Sequence, residues 1–192
     1  MASQIRMTND EARDTARHVT LAEKLDSNAE SGLALGPNLP VEVFTSTEPW
    51  FSERIHALAL YCSDGRWGLA FDEFCQRSLQ IPRYDRWAVP GGPAWLAVRA
   101  ESDDFDQTAH EQLDFLVRIH ELDRVVLITH YACALYGQRL QGTPEECLPE
   151  QVNDVHRAAG VLRGWYSGMR VEGYLAMRRD RSLSFHELGV WR

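Results

Sequence analysis

The feature that most constrains the fold of this chain is the run VVLIT at residues 125–129, whose unbroken apolar and β-branched character is typical of a buried strand. A second mostly apolar run of strand length, IHALALY, occupies residues 55–61. The remaining strand candidates are residues 87–89, 94–98 and 170–177. Apolar residues at helical spacing alternate with these strands, at residues 69–79, 104–121 and 150–167. The alternation predicts an α/β fold with a mainly parallel β-sheet flanked by helices.

The start of the chain is organised differently from the rest. Thr8 and Glu11 have the spacing of a capping box, which predicts a short helix. Residues 26–40 are rich in Gly, Pro, Ser and Asn and read as a linker. A length of 192 residues is that of one domain. We therefore predict an N-terminal helical arm and linker at residues 1–40, lying on the surface or on a partner subunit, and a single α/β domain at residues 41–192.

Charge and hydropathy narrow the range of partners. The chain carries a net charge of −8, which argues against a nucleic-acid or anionic-membrane surface because phosphate groups are bound by clustered Lys and Arg. No apolar run approaches the roughly 20 residues of a membrane span, and the polar start has no signal-peptide core. We expect a cytoplasmic protein that acts on a small molecule.

The chain has four cysteines, too few and too widely spread to form the framework of a small secreted protein. They are Cys62, Cys75, Cys133 and Cys147. Two interpretations are open. The thiols are either buried apolar side chains or metal ligands, which a reducing compartment would keep available.

Metal-competent residues follow the two strongest strands. Residues 55–61 run into Cys62, and residues 125–129 run into His130 and Cys133. If the two strands are neighbours in a parallel sheet, these side chains meet at its carboxyl edge, where such sheets bind ligands. Two thiolates and one imidazole suit zinc, and three protein ligands leave a fourth position open, as in catalytic zinc sites.

Asp64 and Arg66 follow directly after Cys62. The two side chains can pair with each other as a charged fork, or Asp64 can fill the open metal position. These arrangements exclude each other, since the first leaves room for water on the metal and the second blocks it. A third interpretation is an ion pair that only caps the strand end.

Together these residues resemble the zinc signature of the β-class carbonic anhydrases, CxDxR followed well downstream by HxxC. The resemblance extends from about residue 50 to residue 177. It implies a four-stranded parallel core sheet, a homodimer or dimer of dimers, and one zinc ion held by Cys62, His130 and Cys133. The implied activity is reversible hydration of carbon dioxide to bicarbonate by a zinc-bound hydroxide. Asp64, held by Arg66, would orient that hydroxide, although in some members the aspartate binds the metal and closes the site at lower pH.

The chain departs from the family pattern around this signature. Residues 84–93 lack the Arg-Asn-Ala-Gly-Asn stretch, Ala134 replaces a usual Gly, and a substrate-holding glutamine has no counterpart. The alternatives are therefore a zinc hydrolase of a related small electrophile, carbon disulfide or carbonyl sulfide, or a zinc-binding protein that has lost activity.

Other candidate ligands fit the site less well. We predict that Cys75, at an apolar helix position, and Cys147, in a Pro-flanked loop, do not bind the metal. His110 and His120 each precede a Glu, but their separation of ten residues fits no metal spacing. We expect both histidines at a surface or interface.

Overall fold

A computed structural model of the protein describes residues 42–97 and 103–192. Residues 55–192 form a compact unit that contains every strand and helix of the described residues. Residues 42–54 contain no helix or strand and are exposed. The helix predicted near Thr8 and the rest of the arm predicted at residues 1–40 lie outside the described residues.

The compact unit is built on a five-stranded sheet in the order β2-β1-β3-β4-β5. Its strands are β1 Ala57–Cys62, β2 Asp85–Val89, β3 Arg124–His130, β4 Arg170–Arg179 and β5 Ser182–Trp191. The first four strands pair in parallel, and β5 pairs antiparallel with β4. The predicted α/β class with a mainly parallel sheet is confirmed.

Helices cover both faces of this sheet. They are α1 Gly65–Glu73, continued by a π-helical turn at Phe74–Ser78, then α2 Ala94–Ala97, α3 Asp103–His120, α4 Ala134–Leu140 and α5 Pro144–Trp165. One core layer joins alternate residues of β1 and β3, such as Leu60 and Leu127, to Leu113 of α3 and Leu162 of α5. The residues between them pack against α1 on the other face. Burial on both faces explains why the two central strands are almost continuously apolar.

The strand predicted at residues 94–98 is wrong within the described residues. Ala94–Ala97 forms the short helix α2, because Pro93 starts a helical turn and its carbonyl accepts hydrogen bonds from the backbone N–H groups of Leu96 and Ala97. Ala94, Leu96 and Ala97 are buried. A short apolar run serves a buried helix as well as a buried strand.

Two helices differ in detail from the prediction. Trp67, Phe71 and Cys75 form the buried face of α1 and its π-turn, whereas Leu69 is 87% exposed. Helix α5 begins at Pro144 rather than residue 150, behind a capping box formed by Thr143 and Glu146. Cys147 therefore lies in a helix, and its prediction as a loop residue is wrong. Strand β5 has no counterpart in the prediction.

Of the helices in the described part of the chain, none combines the length and apolarity that crossing a membrane requires.

Candidate metal centre

Strand order places the three predicted ligands together. Cys62 is the last residue of β1 and His130 the last residue of β3, and these strands are parallel neighbours. Cys133 lies three residues further, as the N-cap of α4. The side chains of Cys62, His130 and Cys133 meet at the carboxyl edge of the sheet, and all three are buried.

The spacing of the three side chains suits a tetrahedral metal. Their ligand atoms all lie within 4.8 Å of one another. The two Sγ atoms are 3.8 Å apart, the separation of two sulfurs each about 2.3 Å from a tetrahedral zinc. In the described part of the chain, no other group of three His, Cys, Asp or Glu side chains is close enough to hold a metal.

The imidazole of His130 is oriented by its own loop. Its Nδ1 lies 2.9 Å from the carbonyl oxygen of Tyr131 and donates to it, so Nε2 carries the free lone pair. Nε2 is buried and has no hydrogen-bond partner in the structure. A buried acceptor without a partner is costly, and a metal ion between His130 and the two thiols would satisfy it. The residues present therefore fit zinc.

The two thiols differ in acidity. Hydrogen bonds from the Cys133 thiol and from the backbone N–H of Gly91 lower the pKa of Cys62. The pKa of Cys133 is raised by its hydrogen bond to the Cys62 thiolate and by burial. The pair holds one thiolate and one thiol, and metal binding releases the remaining proton.

Asp64 and Arg66 are paired with each other. Asp64 is the N-cap of α1 and accepts a hydrogen bond of 3.1 Å from the backbone N–H of Arg66. It also accepts from Arg66 Nε at 2.8 Å and from Nη2. These bonds lower the pKa of Asp64 to about 2. In this structure the carboxylate of Asp64 binds the guanidinium of Arg66 and is not part of the group formed by Cys62, His130 and Cys133.

The sequence around Pro90 and Pro93 forms part of the centre. Gly91 and Gly92, at φ values of 77° and 54°, form the turn between β2 and α2. The N–H of Gly91 points at Cys62 Sγ, at 3.4 Å. A Cβ at Gly92 would lie 2.8 Å from the backbone nitrogen of Cys62. In the sequence, the Gly-Gly pair between prolines indicates a break after the strand at residues 87–89, but its hydrogen bond to Cys62 is visible only in the structure.

Replacing Gly92 by alanine is expected to destabilise the protein by about 1–3 kcal/mol and to lower its zinc content, because the added Cβ meets backbone atoms of Tyr61 and Cys62 at a positive φ. Urea unfolding and elemental analysis measure the two effects. Gly68→Ala is the control, since a Cβ there meets nothing within 4 Å inside a helix. Equal stability of the two variants would contradict the prediction.

Helix α5 supports the centre from below, which the sequence analysis missed. Gln151 is buried and its Nε2 donates to the carbonyl oxygen of His130 at 3.1 Å. Asp154, also buried, accepts from the hydroxyl of Tyr136 and from Arg139 Nη2, each at 2.8 Å. In the sequence, these contacts are indicated only by the position of Gln151 and Asp154 on an otherwise apolar face of the helix.

The remaining candidate residues lie apart from the metal group or line it without binding. Trp67 packs on the imidazole of His130, with ring centroids 4.7 Å apart. Cys75 belongs to the core beneath α1, and Cys147 donates to the carbonyl oxygen of Gly142. His110 stacks on Trp165, and His120 Nδ1 lies 2.6 Å from Asp85 Oδ2.

Comparisons with known proteins place this geometry in context. A family model described as "Putative carbonic anhydrase" matches residues 52–181, more than half of the chain. No curated protein matches. Similar solved structures include the following three, each 14% identical to this chain. The match to the β-carbonic anhydrase isoform I of Trichomonas vaginalis covers 93% of this chain and 97% of that one, with a TM-score of 0.38. The match to a tetrameric β-carbonic anhydrase of Sordaria macrospora covers 73% of this chain and 84% of that one, with a TM-score of 0.44. The match to the carbonic anhydrase of Glaciozyma antarctica covers 88% of this chain and 95% of that one, with a TM-score of 0.45.

Proposed function

Because the chain belongs to the carbonic anhydrase family whose model matches residues 52–181, we propose that it catalyses the reversible, zinc-dependent hydration of carbon dioxide to bicarbonate. One observation carries the proposal. The ligand atoms of two thiols and one imidazole lie within 4.8 Å of one another around a buried, unpartnered nitrogen. The arrangement suits metal ligands, and the family to which the chain belongs suggests the reaction.

In this proposal Cys62, His130 and Cys133 hold the metal. Zinc bound there would lower the pKa of water toward about 7 and so supply a nucleophile near neutral pH. The backbone N–H of Gly91 stabilises the Cys62 thiolate, and the bond from Nδ1 to the Tyr131 carbonyl keeps Nε2 of His130 free to bind. The chain thus presents one thiolate and one free imidazole nitrogen, and Cys133 would lose its proton when the metal binds.

Asp64 is proposed to position the nucleophile rather than to store its proton. Hydration joins a water oxygen to the carbon of carbon dioxide and releases one proton to solvent. With its pKa lowered to about 2, Asp64 remains a carboxylate at neutral pH and acts as a hydrogen-bond acceptor. Arg66 fixes that carboxylate with two side-chain nitrogens, so Asp64 would direct a lone pair of the water oxygen at the substrate.

Asp64→Asn is expected to reduce carbon dioxide hydration about a hundredfold while zinc content stays unchanged. Asparagine caps a helix as well as aspartate does, so α1 keeps its start and only the charge is lost. Stopped-flow hydration of the metal-analysed protein measures the effect. The matched control is Asp72→Asn, which breaks another Asp–Arg pair of α1, 3.0 Å from Arg86, and is expected to change the rate less than about twofold. Equal rates for wild type and Asp64→Asn would refute the role.

Comparing the turnover of different substrates separates the two alternatives. Release of sulfide from carbon disulfide or carbonyl sulfide, faster than hydration of carbon dioxide, would identify a zinc hydrolase of those electrophiles. A zinc-loaded protein without any turnover would be a binding protein of the same family. The rewritten residues 84–93 motivate both alternatives.

We further propose a cytoplasmic homodimer, or a dimer of dimers, in which an N-terminal arm of residues 1–40 and a catalytic domain of residues 41–192 form each subunit. The described residues just after that arm support the assembly, because Val43, Phe44 and Trp50 are 96%, 80% and 77% exposed and apolar side chains this exposed favour a protein surface. Sedimentation velocity measures the mass. All four cysteines are free thiols, which is consistent with a reducing compartment.

A further inference from the structure

A pocket opens beside the metal centre. Three segments form it: the start of α1, the loop between His130 and Cys133, and the β4–β5 hairpin. Its lining residues are Arg66, Trp67, Tyr131, Ala132, Arg178 and Leu183. The pocket shares a wall with the metal group, because Trp67 packs on the ring of His130 and Tyr131 and Ala132 connect two proposed ligands.

The residues that line this pocket include two arginines and no acidic side chain. Two carboxylates bind lining residues: Asp64 binds Arg66, and Glu145 accepts a hydrogen bond from the hydroxyl of Tyr131. Arg66 uses Nε and Nη2 to bind Asp64, and its Nη1 is not part of that pair. Among the described residues, no carboxylate forms an ion pair with Arg178.

The hairpin holds Arg178 at the pocket rather than leaving it on a free loop. Arg178 pairs across the β4–β5 ladder with Leu183, and both residues line the pocket. Trp67 forms a fixed wall, since it is buried and stacks on Phe71 at an interplanar angle of 15°.

We propose that this pocket binds a small planar oxyanion, a carboxylate or bicarbonate, with Arg178 as the principal cation. A planar guanidinium matches a planar oxyanion with two parallel hydrogen bonds, and the indole of Trp67 gives the flat anion an apolar wall. The identification of bicarbonate as the natural occupant rests on the proposed function, because bicarbonate is the anion that hydration produces. The proposal that the pocket binds an anion does not rest on the proposed function.

Calorimetric titration of the zinc-loaded protein with acetate and with bicarbonate tests the proposal. Arg178→Gln is expected to weaken binding of both anions at least tenfold, and Arg178→Lys to weaken it less because the charge remains while the fork is lost. Arg181→Gln, in the same hairpin but outside the pocket lining, is the matched control and is expected to change binding less than twofold.

Three outcomes would overturn the inference. Arg178→Gln could bind acetate as the wild type does, Arg181→Gln could lose as much affinity, or chloride at equal ionic strength could bind as tightly as acetate. The two proposals fail separately. Arg178-dependent anion binding by a protein that does not hydrate carbon dioxide refutes only the proposed function, whereas hydration with Arg178-independent binding refutes only the pocket.

Discussion

Cys133→Ala is expected to empty the metal centre and to reduce carbon dioxide hydration by more than a hundredfold. Three ligands hold the proposed metal, and two of them are not sufficient to retain it through purification. Changes to groups that only support a ligand cost about 10–100-fold in affinity or activity, so loss of a ligand should exceed that range. Zinc content should fall from about one ion per subunit to nearly none, as elemental analysis would show.

The design of this experiment depends on a control that separates metal loss from damage to the core. Cys75→Ala removes another fully buried thiol, from the core under α1 and away from the metal group. It is expected to keep its zinc. The side chain of Cys133 makes no capping hydrogen bond to α4, so its removal leaves the helix start intact. Full zinc content and hydration in Cys133→Ala would refute the proposed ligand set.

Arg124→Met is expected to destabilise the fold by about 3 kcal/mol, because it removes the main partner of a buried charge. Glu172 on β4 is 1% exposed. It accepts hydrogen bonds from Arg124 Nε and Nη2 at 2.8 and 3.0 Å, and from the hydroxyl of Tyr174. Arg170 Nε lies 2.6 Å from the same carboxylate and still compensates part of its buried charge in the variant. The expected loss of stability is therefore at the low end of the range for a broken buried ion pair.

The same carboxylate gives the stability of the protein a predictable pH dependence. Burial opposes ionisation of Glu172, but the hydrogen bonds from Arg124 and Tyr174 and the charges of both arginines lower its pKa below the ordinary value. The stabilisation is therefore present above the pKa of the unfolded chain and is lost as the pH falls through that of the folded protein. Wild type should lose more stability than Arg124→Met between about pH 6 and about pH 3.

Urea unfolding at several pH values measures both effects. Arg77→Met is the matched control, because Arg77 forms an exposed pair with Glu73 that contributes less than about 1 kcal/mol. Identical stability of Arg124→Met and wild type at neutral pH, or parallel pH profiles, would contradict the prediction.

Local patterns were sufficient to predict the central strands and part of the edge strand β2, but not the edge strand β5. β1 and β3 are buried on both faces, which imposes a continuous apolar run that is visible in one dimension. β5 is an edge strand and mostly exposed. Because burial requires an apolar residue at few of its positions, its sequence contains no continuous apolar run. Residues 94–97 are apolar because they are buried, and burial alone does not distinguish a strand from the short helix that forms there.

The amino-acid sequence by itself determined the class of the fold and the grouping of Cys62, His130 and Cys133, because side chains that follow directly on buried parallel strands have little freedom in where they lie. Only the tertiary structure decided their supports. The Gly91 N–H reaches Cys62 through the pairing of β2 with β1, Gln151 reaches His130 through the packing of α5, and Arg178 reaches the neighbouring pocket through the β4–β5 hairpin. These contacts join residues far apart in the chain, and their geometry depends on strand register and helix packing, which no local pattern records.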